Sequence, residues 1–566
     1  DDLGQLEEGG LEDRVGAVAH AQLDGLVGGV AGRVRISDND KYELIEKKTT
    51  IVDNIATTDY SVPDNSSYQG EVDAIYNING VKGTAGGVLD TNVSGKNFVG
   101  GIVGVGTISA TKAVNVYGGK VTSTLSSDTT YAGGAVGVGL AVSKEAGLIN
   151  ITNATISASS SGTVGGAIGI GIAVTNTSDF LMAKNISVNN ITLQSAKVSG
   201  GIVGATTYGS FIISDCYVGN CQSISASGSA GGIVGSIVCA SKASNTNECY
   251  ATAITNCNVY ASKINAGNAG GLVGYAKYAK LSLTNNRVYD DSAQFTRVQR
   301  QLDGETVNMN MKISGTYAGG LVGTAYAAIV GETTDAKYSD NEVSYVELLG
   351  SSASAGVVAN MTKSAQVNNI KMDNKYILLF KNQYSALLVG IASESSSISN
   401  CESNGKYYFG SKYKQSNRSD ASNEAISYIA GICARLTSSS KVYSCVNSAN
   451  IVGRDYIAGV CAIMDSSCII TNTNPKDKDN HSKFEYTFGD ATVVGLTANT
   501  GYIKAYGNNV GGIVSTINLA TDLYGNTTHR TATLTNCINK GEISSSFGSY
   551  VGGIAGVVQA VKISNV

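Results

Sequence analysis

Two groups of side chains in this sequence have the types that acid–base chemistry requires. Asp290 and Asp291 adjoin in one polar stretch, and Asp477, Asp479 and Glu485 gather in another, with His481 two residues beyond Asp479. Cleavage of an acidic polysaccharide would need such carboxylates, or a base, to converge at a separation set by the mechanism. Lys476, Lys478 and Lys483 interleave with the second group. That alternation of sign is what a solvated loop also shows, and solvated charge is the favoured reading. Metal chemistry finds little to work with. The histidines are His20, His481 and His529, far apart, and the 11 cysteines include no Cys-x-x-Cys pair. No metal ligand set and no cofactor is expected. The strings Gly104-Val105-Gly106 and Gly137-Val138-Gly139 lack the third glycine and the strand-to-helix setting of a dinucleotide loop.

The elements that would position these groups come from a repeat. Gly100-Gly101-Ile102-Val103-Gly104 returns at Gly133, Gly165, Gly200, Gly231, Gly270 and Gly319, then in degenerate form at Ala355, Ala386, Ala430 and Ala458, and again at Gly511 and Gly552. Successive copies are spaced from 28 to 53 residues apart, with 31–35 recurring. A constant motif at variable spacing is what a solenoid produces when each coil keeps its stacked strands and varies its loops. Period-2 segments such as 280–285 and 532–536 read as strands, and no sustained 3.6-residue period appears. The expectation is an all-β, elongated, right-handed parallel β-helix of roughly 13 coils, about 60 Å long at ~4.8 Å per rung. Irregular loop insertions are expected near 236–268, 284–316, 402–427 and 474–508. A second landmark, Asp215-Cys216, Asn256-Cys257, Asn285-Asn286, Asn400-Cys401, Ser444-Cys445 and Asn536-Cys537, fits corners, because Asn and Asp tolerate left-handed backbone.

Repeat alignment brings two further groups into columns. Aromatic residues stand three positions ahead of the second motif residue at Phe98, Tyr131, Tyr317, Tyr384, Tyr428, Tyr456 and Tyr550. Such a stripe could contact a ligand by stacking; the blander reading is that the rings cover the neighbouring coil, since Thr163, Val198, Ser229, Asn268, Ala353 and Asn509 interrupt it. Cys216 and Cys257, Cys401 and Cys445, and Cys433 and Cys461 share repeat positions. Stacked in parallel, they are expected to be buried thiols rather than disulfides.

Composition narrows the class further. The chain has 69 glycines but 2 prolines, which excludes collagen, and its 42% hydrophobic and 15% charged content is that of a chain that folds. A net charge of -4 with scattered basic residues offers no footprint for nucleic acid. No apolar stretch is long enough for a transmembrane helix. Residues 1–50 form an atypical N-terminal segment, expected to be a cap or a foreign start, ahead of solenoid repeats over 51–566; the last strand-like residues suggest further coils beyond Val566.

The segment Thr535-Asn536-Cys537-Ile538-Asn539-Lys540-Gly541-Glu542-Ile543, followed by Val551-Gly552-Gly553-Ile554-Ala555-Gly556, resembles the GLUG repeat of large bacterial surface proteins, including adhesins and some secreted peptidases. The resemblance extends over roughly 83–566 and departs from the pattern between Ala355 and Cys461. It implies a non-enzymatic scaffold, extracellular or on the cell surface, that binds a host or environmental glycan or surface protein. A polysaccharide-active β-helix lyase or hydrolase is the alternative.

Overall fold

The computed structural model describes residues 87–566 apart from 90–91, 107–113, 126–129, 142–148, 174–180, 195, 208–209, 239–249, 291–298, 303–304, 309, 332–339, 381–383, 410–426, 473–484, 489–490, 495, 521–529, 547, 560 and 565; before 87 it describes five strands between Leu26 and Tyr60. Among the described residues there is no helix. The chain is a parallel β-solenoid.

One coil illustrates the path. Val198–Gly200 ends on the first glycine of the motif, the chain turns at Gly201-Ile202, and Val203–Thr207 follows. The period-2 strand Phe211–Ser214 comes next, then a corner at Asp215-Cys216, the short strands Tyr217–Gly219 and Ser223–Ser225, and a return one rung on at Ser229–Gly231. Each strand pairs in parallel with its counterpart in the next coil: Gly200 with Gly231, Val203 with Val234, Phe211 with Thr252 and Tyr217 with Asn258. The strands that follow the glycine pairs line up in chain order in a 15-stranded sheet running to Ala555–Val558, and the period-2 strands form an 11-stranded sheet beside it. The unequal motif spacing therefore goes into the connections, because every copy keeps its rung.

Close approach of successive coils explains the second glycine. A Cβ added at Gly232 would fall on the carbonyl oxygen of Gly271 in the next coil, well inside contact distance, and 2.8 Å from both γ-methyls of Val259. The carbonyl belongs to the rung above, so no side-chain rotation can relieve the clash. The Asn/Asp corners are left-handed as their residue types suggest: φ is 54° at Asp215, 55° at Asn256, 53° at Asn285 and 52° at Asn400. Their side chains hydrogen-bond along the axis, Asn256 Nδ2 to Asp215 Oδ1 (3.1 Å) and Asn285 Nδ2 to Asn256 Oδ1 (2.7 Å).

The core is one continuous aliphatic column from Val93 to Cys537, with a small second cluster of Phe98, Val138 and Ile170 beside it. In its C-terminal half the column carries a polar ladder. Ser403 Oγ donates to Asn447 Oδ1 (2.8 Å), Asn447 Nδ2 to Asn499 Oδ1 (2.8 Å), and Asn499 Nδ2 to Asn539 Oδ1 (2.7 Å). Within the atypical first 50 residues, Leu26–Gly28 lies in register with Phe98–Gly100, and Ala31 pairs with Val103. Leu26–Gly28 and Ala31–Ile36 thereby stack on Phe98–Gly100 and Val103–Gly106 as one more rung.

Two insertions carry antiparallel hairpins, Gln299–Leu302 with Glu305–Asn308 and Glu485–Phe488 with Ala491–Val494. Elsewhere the rungs reach further than the loop expectation allowed: Tyr250–Thr255, Asn258–Tyr260 and Lys263–Gly270 are coil strands, which leaves 239–249 as the connection there.

Candidate functional site

The aromatic stripe occupies one corner column, at the start of the strand that ends in the first glycine. Registers align Phe98 with Tyr131, Tyr131 with Thr163, Asn268 with Tyr317 and Tyr317 with Ala353. The column behaves differently along its length. Phe98 is 4% exposed, stacks on Tyr131 with ring centroids 5.6 Å apart, and packs against Val138 and Ile170. There the aromatics seal a small core. Tyr317 is half-buried, and its register partners on the neighbouring rungs, Asn268 and Ala353, are not aromatic.

Tyr384, Tyr428 and Tyr456 are brought together. Their rings stack in sequence, Tyr384 on Tyr428 at 4.5 Å and 16° between planes, Tyr428 on Tyr456 at 4.5 Å and 13°. All three are half-buried, and all three hold left-handed backbone, with φ of 57°, 63° and 58°. Tyrosine gains nothing locally from that conformation, which costs about 1–2 kcal/mol for a residue with a Cβ. Asn509, next in the column, has the same φ of 60° without the cost, and Tyr550 beyond it is 57% exposed. Burial raises the Tyr428 phenol above its ordinary value, and the Tyr384 and Tyr456 hydroxyls beside it add to the effect. Because Tyr428 has a ring against each face, the ladder offers a partner its ring edges and hydroxyls rather than open faces.

A second aromatic group escapes the sequence reading. Lys277 Nζ lies 5.3 Å from the Tyr278 ring and 5.2 Å from Tyr326, which meet edge to face at 5.9 Å. Lys277 and Tyr326 are register partners on adjacent rungs, a column relation that repeat alignment would have revealed.

The nine described cysteines are free, buried thiols. Cys433 pairs in register with Cys461, and the Cys216–Cys257 and Cys401–Cys445 thiols neighbour each other across rungs. Burial pushes Cys216, Cys445 and Cys461 well above the ordinary thiol value, and the adjoining thiol of each pair pushes them further. Such thiols are poor nucleophiles and poor ligands. Among the described residues no group of three or more His, Cys, Asp or Glu could hold a metal ion.

Of the acidic groups, Asp290 is 2% exposed and accepts a hydrogen bond from the Asn310 backbone N–H. It thereby ties together the two ends of the 291–309 insertion. Asp291, Asp477, Asp479, His481, His20 and His529 lie outside the described residues, and Glu485 opens the second hairpin. No helix among the described residues is long and apolar enough to cross a membrane.

Fold and column together define a parallel β-solenoid carrying a strained tyrosine ladder at one corner. The chain matches no protein-family model, no curated protein and no solved structure.

Proposed function

We propose that this chain is the non-enzymatic scaffold of an extracellular or cell-surface adhesive protein of the GLUG-repeat kind, and that its corner ladder contacts a glycan or surface protein of a host or environment. The observation that supports this reading is the Tyr384–Tyr428–Tyr456 ladder, three half-buried tyrosines on strained backbone. A row of hydroxyls and ring edges at rung spacing suits a ligand that is itself extended, periodic and rich in hydrogen-bonding groups, which a polysaccharide chain is. The test is a glycan array probed with the full chain and with Tyr428→Ala. Binding that depends on Tyr428, with the glycan recovered intact, is the expected result. Turnover of a bound glycan would replace the adhesive reading with the polysaccharide-active one, and binding indifferent to the ladder would remove the site.

A further inference from the structure

We infer that the tyrosine ladder is a site of oxidative cross-linking, at which a peroxidase-type oxidant joins Tyr428 to Tyr384 or to Tyr456 as dityrosine. The argument is geometric. Coupling of two phenols forms a bond between the ring carbons ortho to each oxygen, so the rings must lie against one another before the radicals meet. Tyr428 has a phenol ring 4.5 Å away on each side, nearly parallel in both cases. All three residues are half-buried rather than buried, which leaves them open to an oxidant that draws hydrogen atoms.

The other described aromatic pairs serve as internal comparisons. Phe98–Tyr131 is stacked but has one phenol only. Tyr278 and Tyr326 are perpendicular at 89°, and Tyr260 and Tyr289 are tilted by 50°. The ladder alone among them combines two phenols with face-to-face contact.

The chemistry balances with hydrogen peroxide as the oxidant. Each phenol gives up its O–H hydrogen, and the two phenoxyl radicals combine through their ortho carbons. The hydrogen on each joined carbon then moves to its oxygen and restores the aromatic rings. Two hydrogens leave the protein in all, and they reduce one peroxide to two waters. The new bond ties one rung covalently to the next, a connection that the buried thiols of the described residues do not make.

The test treats the full chain with a haem peroxidase and hydrogen peroxide, then reads dityrosine fluorescence, intact mass and cross-linked peptides. The expected product is a monomer lighter by two hydrogens, with Tyr428 joined to Tyr384 or Tyr456. Tyr428→Phe keeps a ring in the stack and should abolish that product. Should this variant fail to fold, Tyr384→Phe with Tyr456→Phe leaves Tyr428 without a phenol neighbour and should give the same loss. Absence of the intrachain product, its persistence in these variants, or cross-links formed only through exposed Tyr550 or at Tyr278–Tyr326 would overturn the inference.

Discussion

Replacing Gly232 by alanine tests the stacking argument most directly. The added Cβ would sit more than an ångström inside ordinary contact with the Gly271 oxygen, and 2.8 Å from two methyl groups of Val259. Relief requires the two rungs to part, which stretches the inter-rung hydrogen bonds Gly232 N–H to Gly270 O (3.1 Å), Ile233 N–H to Leu272 O (2.9 Å) and Val234 N–H to Leu272 O (2.9 Å). Weakening two of these at about 1 kcal/mol each, together with overpacking of about 1–3 kcal/mol, gives a cost of about 3–5 kcal/mol. Solenoids unfold in part rather than all at once, so a global midpoint is the wrong readout. Hydrogen exchange of the amides in 229–238 and 268–277 measures the loss locally. A Gly232→Ala chain within about 0.5 kcal/mol of the parent, the tolerance expected of surface substitutions, would refute the backbone-contact account. Full rescue by Val259→Ala would do so too, because it would place the whole clash on a side chain.

Three further outcomes follow from the same columns. Asn447→Ala removes the partner of Ser403 Oγ and of Asn499 Oδ1 in a buried ladder and should cost about 2–6 kcal/mol at ~1–3 per orphaned group, seen as lost exchange protection in rungs 403–449 and 497–503. Burial lifts the Cys221 thiol from 9.0 to about 11 and Cys537 to about 12, so the unfolded chain ionises first as pH rises. The contribution of these two thiols to stability should be level below about pH 9 and fall between there and about 12, and native-state alkylation at neutral pH should spare all nine described cysteines; labelling them at the unfolded rate would contradict the burial. Tyr428→Ala should lose about 1–3 kcal/mol for two ring stacks, and Tyr428→Asn about 1 kcal/mol less, because Asn accepts the left-handed backbone. Equal stability of the two variants, measured by local exchange, would show that the φ of 63° carries no strain.

The repeat was legible because each copy repeats a steric requirement: the second glycine admits a neighbouring carbonyl, and the Asn or Asp supplies a left-handed corner. The pairing of Leu26–Gly28 and Ala31 with the first described repeat was not legible, because these residues sit in a segment whose Leu, Asp, Glu and Arg content masks the motif. The asparagine ladder had a readable signal as well, a Ser or Asn two residues after the corner Cys in Cys401-Glu402-Ser403, Cys445-Val446-Asn447 and Cys537-Ile538-Asn539. The tyrosine ladder was only half visible. Alignment put the rings in one column, yet whether a ring seals a core, as Phe98 does, or stands in a stack, as Tyr428 does, depends on a backbone angle that residue type does not reveal.

Columns also explain which residues this chain tolerates where. In a solenoid the nearest neighbours of a side chain include the same position one rung away, so a polar residue in the core survives when the next rung complements it. Asn286 gives an amide hydrogen to Asn341 Oδ1 (2.9 Å), and Asn447 has Asn499. The tyrosine corner is the exception that this rule does not cover. Two stacks at about 0.5–1.5 kcal/mol each fall short of three left-handed tyrosines at about 1–2 kcal/mol each. Asn509 shows that the same corner can be turned by a residue suited to it. What tyrosine adds over asparagine at these three rungs is a ring edge and a phenol hydroxyl at the surface, so the proposed roles in adhesion and in oxidative coupling are both assigned to those groups.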